Sequence, residues 1–307
     1  MRGDEELERL RDRLDSTAGL RPVPSQEGRR FCRWDLASLV EGALGEILDP
    51  DTITAGDERA WQRRLGEGQC VLYDEDPLTH RYWITSGQEV IGTLGIRRGL
   101  SGWASAYVSS LYVHSESRRR GVASRTLDTV YRAAIDEGLE GIRLDTKWTW
   151  QDAVRYYLSR GFWTCSWKHD LGFTRQRGLP RYEVRQTGRH SLAFLLAHRG
   201  EMSPLLVAVR DGERLVLEEA PLHRALRDDD DHWTTLLYGR STLALQLAAR
   251  GWPLIRSEEA WAEAPHHADL GDPEGLAFKI GHFERTARDN GWRVTVPAAN
   301  GQISKSW

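Results

Sequence analysis

Apolar residues recur along this chain at two spacings, and the switches between them mark out its elements. Near the amino terminus Leu7, Leu10 and Leu14 share one face of a helix, with Asp4 as a candidate N-cap. Whether that helix packs on the body of the protein or on a second copy is left open by the pattern. Gly19 to Gly28, with two prolines, reads as a linker. Arg30 to Trp34 predicts a short strand, and Leu36, Val40, Ala43, Leu44 and Ile47 then mark an amphipathic helix with Asp35 before it. A second short helix is predicted over 57–65. Alternation takes over afterwards. Cys70 to Tyr73 is a candidate strand, Tyr82–Thr85 and Val90–Ile96 flank a Ser86-Gly87 turn as a hairpin, and Tyr107 to Val113 is the next strand.

Helical spacing returns at Val122 and runs to about Glu137, with Ala123, Leu127, Val130, Tyr131 and Ala134 on one face and Gly138 as the C-cap. Ile142–Thr146 predicts a strand. Thr149 with Asp152 reads as a capping box for a helix through Arg160, which Gly161 ends, and Phe162–Trp167 starts a further strand. Beyond residue 190, Leu205–Val209 and Leu215–Leu217 flank Asp211-Gly212 as a hairpin. Helices follow, the clearest over Ser241–Arg250 and Pro273–Asn290, with Val294–Val296 as a last strand. The expected organisation is an N-terminal helix and linker (1–28), an αβ domain (29–185) and a smaller C-terminal α+β domain (190–307).

Composition narrows the classes. A length of 307 residues accommodates two cores, and 40% hydrophobic with 28% charged residues is the balance of an ordinary globular protein. The formal net charge of −3 supplies no global field for nucleic acid or an anionic membrane, so neither is expected as a partner. Lysine occurs only at 147, 168, 279 and 305, which reads as a composition bias toward arginine. Cys32, Cys70 and Cys165 offer neither a disulfide framework nor a zinc spacing, and the charged amino terminus is no signal peptide; a reducing, cytoplasmic setting is the expectation. His266-His267 with Asp269, and the run Asp228–Asp231 before His232, invite a metal reading. They lack a helix-face pair, read as loops, and no metal is expected.

The candidate chemistry lies in residues 108–127. An apolar strand breaks into a polar turn, Arg118-Arg119-Arg120-Gly121-Val122-Ala123, and a helix begins at once. Backbone N–H groups and the positive end of a helix dipole then converge on one spot, which suits a phosphate. Gly121 permits close backbone approach, Ala123 is the next smallest choice, and Arg118 and Arg119 can add charge-assisted bonds.

Leu111-Tyr112-Val113-His114 followed by Arg118-x-x-Gly121-x-Ala123 resembles the acyl-coenzyme A site of the GNAT superfamily of N-acyltransferases. Ala153, Tyr157 and Gly161-Phe162 continue the match as that family's A-x-x-x-Y-x-x-x-G-F segment, and the resemblance covers roughly residues 30–175. It implies a GNAT-type α/β fold, a mixed, splayed β-sheet flanked by helices, with acetyl-CoA as co-substrate. Cofactor-binding roles fall on Leu111, Tyr112, Val113, Arg118, Arg119, Arg120, Gly121, Val122, Ala123, Ser124 and Trp150. The strand before the turn would carry a bulge whose amides pair with the pantetheine arm. Tyr157 would protonate the leaving thiolate, and Asp145 is one candidate for the general base, beside Ser109 and Ser110, which can order a water, and His114.

The implied reaction is direct attack of a primary amine, on a small molecule or a peptide, on acyl-CoA in a ternary complex. Two departures stand out: Trp150 where the family often has Asn, and Ser115 where proline is common. Trp148, Trp150, Trp163 and Trp167 surround the second motif, either as core or as the wall of an acceptor pocket. A scaffold using another activated donor, such as an aminoacyl-tRNA, and a non-catalytic acyl-CoA sensor are the alternatives. The C-terminal domain is unplaced, and a homodimer is left open.

Overall fold

Leu7, Leu10 and Leu14 are buried, as their spacing requires, on one face of a helix that spans Arg2–Asp15 (α1). The helix starts at Arg2, so Asp4 lies inside its first turn and does not cap it. The structure is a computed structural model, and it describes residues 2–65, 79–98, 105–147, 150–167, 170–211, 214–227 and 232–250. Two units divide the chain: one holds Met1–Leu144 with Arg175–Arg177, the other Asp145–Thr174 and the residues from Gly178 on.

In the first unit the segment read as a linker is ordered. Leu20–Pro22 (β1) pairs antiparallel with His80–Ser86 (β2), and a 3-10 turn covers Ser25–Glu27. The predicted strand at Arg30–Trp34 is helical, being part of Gly28–Leu44 (α2). Cys32, Leu36 and Val40, at i, i+4 and i+8, are all buried and explain why a helix wins there. Gly45, at φ 71°, ends α2 with its N–H on the Glu41 carbonyl, so Ile47 falls outside the helix and is exposed. Ala55–Leu65 forms α3, and Leu36, Ala37, Val40, Ile53 and Leu65 make one core cluster. A second joins Phe31 and Trp34 to Trp83 and Tyr112.

The β2 hairpin partner is Glu89–Arg98 (β3), joined through left-handed Gly87 and paired in turn with Ser105–Val113 (β4). A crossover helix, Val122–Asp136 (α4), leads to Gly141–Thr146 (β5), parallel to β4. That pairing joins Ser105–Tyr107 to Gly141–Arg143, while β4 runs on to Val113. The order in this unit is β1-β2-β3-β4-β5. On α4 the buried residues include Leu127, Val130 and Ala134, while Tyr131 is half-buried under the Arg175 guanidinium, 4.1 Å from its ring centre. At the far end of α4, Arg9 donates to the Glu137 carbonyl at 3.2 Å, and Arg13 reaches Asp136 at 2.5 Å and Glu137 at 3.1 Å.

The second unit begins with the end of β5 and Gln151–Ser159 (α5). Trp150 is the N-cap of α5 and no side chain caps the helix; Thr149, the expected cap, lies outside the described residues. Trp163–Trp167 (β6) and Leu171–Gln176 (β7) pair antiparallel. A separate antiparallel sheet has the order β11-β10-β9-β8, built from Tyr182–Gly188 (β8), Ser191–His198 (β9), Glu201–Asp211 (β10) and Arg214–Glu219 (β11). The last two form the hairpin expected around Asp211-Gly212. Pro221–Arg227 (α6) and Trp233–Ala249 (α7) follow, and α7 starts well before the Ser241 expected of it. The Thr164 N–H donates to Thr242 Oγ1 at 2.9 Å, tying α7 to β6. Trp163 stacks edge-on with Tyr182 and Phe194, donates its indole N–H to the Pro180 carbonyl and is core, not the wall of an open pocket. The expected strand at Cys70–Tyr73, the helix at Pro273–Asn290, the strand at Val294–Val296, and Trp148 and His266–Asp269 lie outside the described residues. Among those described, no helix is long and apolar enough to cross a membrane.

Candidate functional site

The end of β4 departs from regular pairing where the sequence places its chemistry. Thr93 pairs with Tyr112 and Gly95 with Ser109, so Leu94 faces two residues, Ser110 and Leu111. This is a β-bulge, and Ser110 takes a left-handed φ of 49°. Thr93 Oγ1 donates to the Ser110 carbonyl at 2.7 Å and holds that strained peptide. Gly92 makes the bulge possible: a Cβ there would stand 2.3 Å from the Tyr112 carbonyl oxygen. Leu111 to Val113 thus leave a bulged strand, as the resemblance requires of residues facing a pantetheine arm.

Beyond His114 a short 3-10 turn, Ser115–Ser117, leads into the arginines. Arg119 (φ 59°) and Gly121 (φ 75°) are both left-handed, and such alternation turns successive N–H groups to one concave side. Gly121 is the N-cap of α4 and no side chain caps the helix. The first turn of α4, Val122 to Ser124, is partly exposed and contains no acidic residue. Arg125 braces the turn by donating from Nη1 to the Arg120 carbonyl at 2.8 Å.

Arg118 is not poised over this concave side. Its Nε donates to the Val113 carbonyl at 2.7 Å, and its two Nη groups grip both carboxylate oxygens of Glu41 on α2, one of them at 2.5 Å. The guanidinium also lies 5.3 Å from the Tyr112 ring centre. Glu41 holds Arg118 above its ordinary pKa, while burial and the Glu41 charge push the Tyr112 phenol up to about 12. The exposed cations of the turn are Arg119, Arg120 and Arg125. Sequence reasoning did not find Glu41; its one signal is an acid on an otherwise apolar stretch of α2.

Of the remaining candidates, Ser109, Ser110 and His114 lie in this unit; His114 packs against Trp34, with ring centres 6.0 Å apart. Asp145, Trp150 and Tyr157 belong to the second unit. Asp145 is exposed on β5, and Gly172 leaves it room, since a Cβ there would lie 3.0 Å from Asp145 Oδ1. Trp150 is half-buried at the start of α5. Tyr157 is buried, its ring 5.4 Å from Phe173 and 5.6 Å from Phe162, whereas neighbouring Tyr156 is half-buried.

The family model described as "Acetyltransferase (GNAT) family" matches residues 43–162, a span that contains the bulge, the turn, α4 and Tyr157. N-acetyltransferase 8B of Rattus norvegicus is 33% identical over 85 residues, which is 26% of this chain and 38% of that protein. Among solved structures, the PaiA N-acetyltransferase of Thermoplasma acidophilum, in complex with coenzyme A, aligns over 51% of this chain and 97% of its own at 12% identity and a TM-score of 0.38. An acetyltransferase of Thermus thermophilus aligns over 51% and 95% at 18% identity and a TM-score of 0.37. Residues 43–162 thus carry a match to the GNAT family of acetyltransferases.

Proposed function

We propose that the protein transfers an acetyl group from acetyl-CoA to a primary amine, by direct attack of the amine on the thioester in a ternary complex. One observation carries the reading: the bulged strand β4 runs, within the span matched to the family, into a turn whose left-handed Gly121 opens the uncapped helix α4. Such a turn binds a pyrophosphate through backbone N–H groups, and a bulged strand leaves amides free for an amide-rich arm and for the oxyanion of a tetrahedral intermediate. Arg119, Arg120, Gly121, Val122, Ala123 and Ser124 take the diphosphate, and Leu111–Val113 the pantetheine. Arg118 serves the turn by holding it to α2.

Tyr157 is the proposed acid for the departing thiolate, and Asp145 stays a candidate base. Chemistry of this kind needs no resident metal, because the thioester is already activated and the proton transfers fall to side chains. Titration calorimetry with coenzyme A tests the donor site, and a mass-spectrometric screen of amines with acetyl-CoA tests transfer. Micromolar binding together with acetylated product is the expected result. Failure to bind coenzyme A at millimolar concentration refutes the proposal.

A further inference from the structure

An amine attacks a thioester only as its free base, so a group near the nucleophile has to take up a proton as the C–N bond forms. A carboxylate stands directly behind the bulge. Asp35 is buried in the middle of α2, and the Ser110 side chain donates a hydrogen bond to it. Arg81 of β2 is the charged group that acts on Asp35, while β3 and β4 present Thr93 and Ser110 to this region. Arg81 lies over the Phe31 ring, 5.8 Å from its centre. Cys32, one helical turn before Asp35, and Arg81 both line a cavity of about 460 Å³.

The setting of this acid differs from that of a purely structural one. A buried carboxylate is ordinarily held by several donors or by a close cation, which keeps it ionised. Burial instead drives Asp35 up to about 6, and the Ser110 bond and the Arg81 charge offset only part of that. A group of this kind is a carboxylate at neutral pH and still basic enough to accept a proton. Its partner is the left-handed residue of the bulge, whose backbone Thr93 holds through the Ser110 carbonyl.

We propose that Ser110 and Asp35 form the proton relay of the reaction, Ser110 Oγ touching the attacking nitrogen and Asp35 accepting the hydroxyl proton behind it. This rests on the acetyltransferase reading above. The nitrogen lone pair forms the C–N bond at the thioester carbonyl. As the nitrogen loses a proton to Ser110 Oγ, the Oγ proton passes to Asp35. The C–S bond breaks with its electron pair on sulfur, and the thiolate takes a proton from the acid. Asp35 then returns its proton to solvent through Ser110, and the acid regains its own from solvent. In these terms Ser110 is the catalytic residue and Asp35 a positioning residue.

The test follows thiol release from acetyl-CoA by the full chain between pH 5 and 9, in water alone and with the screened amines. Coenzyme A affinity is measured in parallel by calorimetry. The wild type is expected to show a rate that rises through a limb near pH 6. Asp35→Asn and Ser110→Ala lose that limb and slow release on the order of a hundredfold, with the double variant no slower than either single one. Their coenzyme A affinity stays within a factor of two or so. An Asp35→Asn enzyme with the wild-type rate and limb overturns the relay and makes Asp35 structural. A wild type that binds coenzyme A yet releases no thiol under any condition overturns the relay while sparing the donor site. A wild type that binds no coenzyme A overturns the acetyltransferase reading and the relay with it.

Discussion

Glu41 and Arg118, 77 positions apart in sequence, lock α2 to the turn that opens α4 through a two-pronged ion pair. With Arg118 Nε on the Val113 carbonyl, the same side chain also fixes the end of β4. The motif's first arginine thus braces the proposed anion site from behind. If so, Glu41→Gln and Arg118→Gln each loosen the turn and weaken coenzyme A on the order of tenfold, about 1.4 kcal/mol. The double variant is no weaker than either single one, because both remove one interaction. Calorimetry at fixed salt checks this. An Arg118→Gln loss far beyond that of Glu41→Gln shows instead that Arg118 meets the phosphate directly.

Gly121 holds φ at 75°, where a side chain costs about 1–2 kcal/mol in backbone strain. An added Cβ also stands 3.0 Å from Arg125 Nη1, whose flexible end moves aside and releases the Arg120 carbonyl. Gly121→Ala is therefore expected to fold, to lose stability of that order in urea unfolding, and to bind coenzyme A more weakly. Wild-type affinity in that variant contradicts the role given to the turn.

Asp35 carries a pH signature in stability as well as rate. Its folded pKa, about 6, lies above the unfolded value of 3.8, so between those values the folded chain holds a proton that the unfolded chain has lost. Stability from this group falls as pH rises through that window, and above it the buried charge costs about 2–3 kcal/mol. Asp35→Asn removes the penalty. Urea melts should show the variant more stable than wild type at pH 8, with the advantage shrinking toward pH 4. A variant that is stabilised and slowed together separates function from packing, since losing a structural bond does not stabilise.

Tyr157→Phe keeps the ring contacts with Phe162 and Phe173, so its Tm is expected within about 3 °C of wild type. Without a phenol to protonate the thiolate, transfer slows on the order of a hundredfold while coenzyme A affinity is retained. Unchanged transfer removes Tyr157 as the acid.

Where side-chain period and burial agree, the elements were legible in the residues themselves. α4 presents one apolar face, β2, β3 and β4 are apolar runs set off by turn residues, and Gly121 announces the turn. The reading of α2 failed at Asp35, because an acid inside an apolar stripe looks like a helix start. Nothing local shows that the same acid is buried against a strand residue far along the chain. Asp4 misled in the same way, since a helix that begins at Arg2 makes a capping residue of nothing beyond it. β1 was hidden because three residues around a proline carry no period, and their strand character comes from pairing with β2. Glu41 was invisible for a related reason: ion pairs across long separations leave no trace in spacing. Of the candidate site, the turn and its residues could be named from the sequence. The way Arg118 is occupied could not, because it depends on where α2 crosses β4.

The arginines of α1 at the carboxyl end of α4 have a practical consequence. Arg9 and Arg13 supply positive charge to the helix end that carries Asp136, Glu137 and outward-facing carbonyls. The helix that presents the proposed anion site is thus anchored by α1. A truncation that removes α1 through Arg13 takes that anchorage away. Preparations that differ only there are not interchangeable when donor affinities are compared.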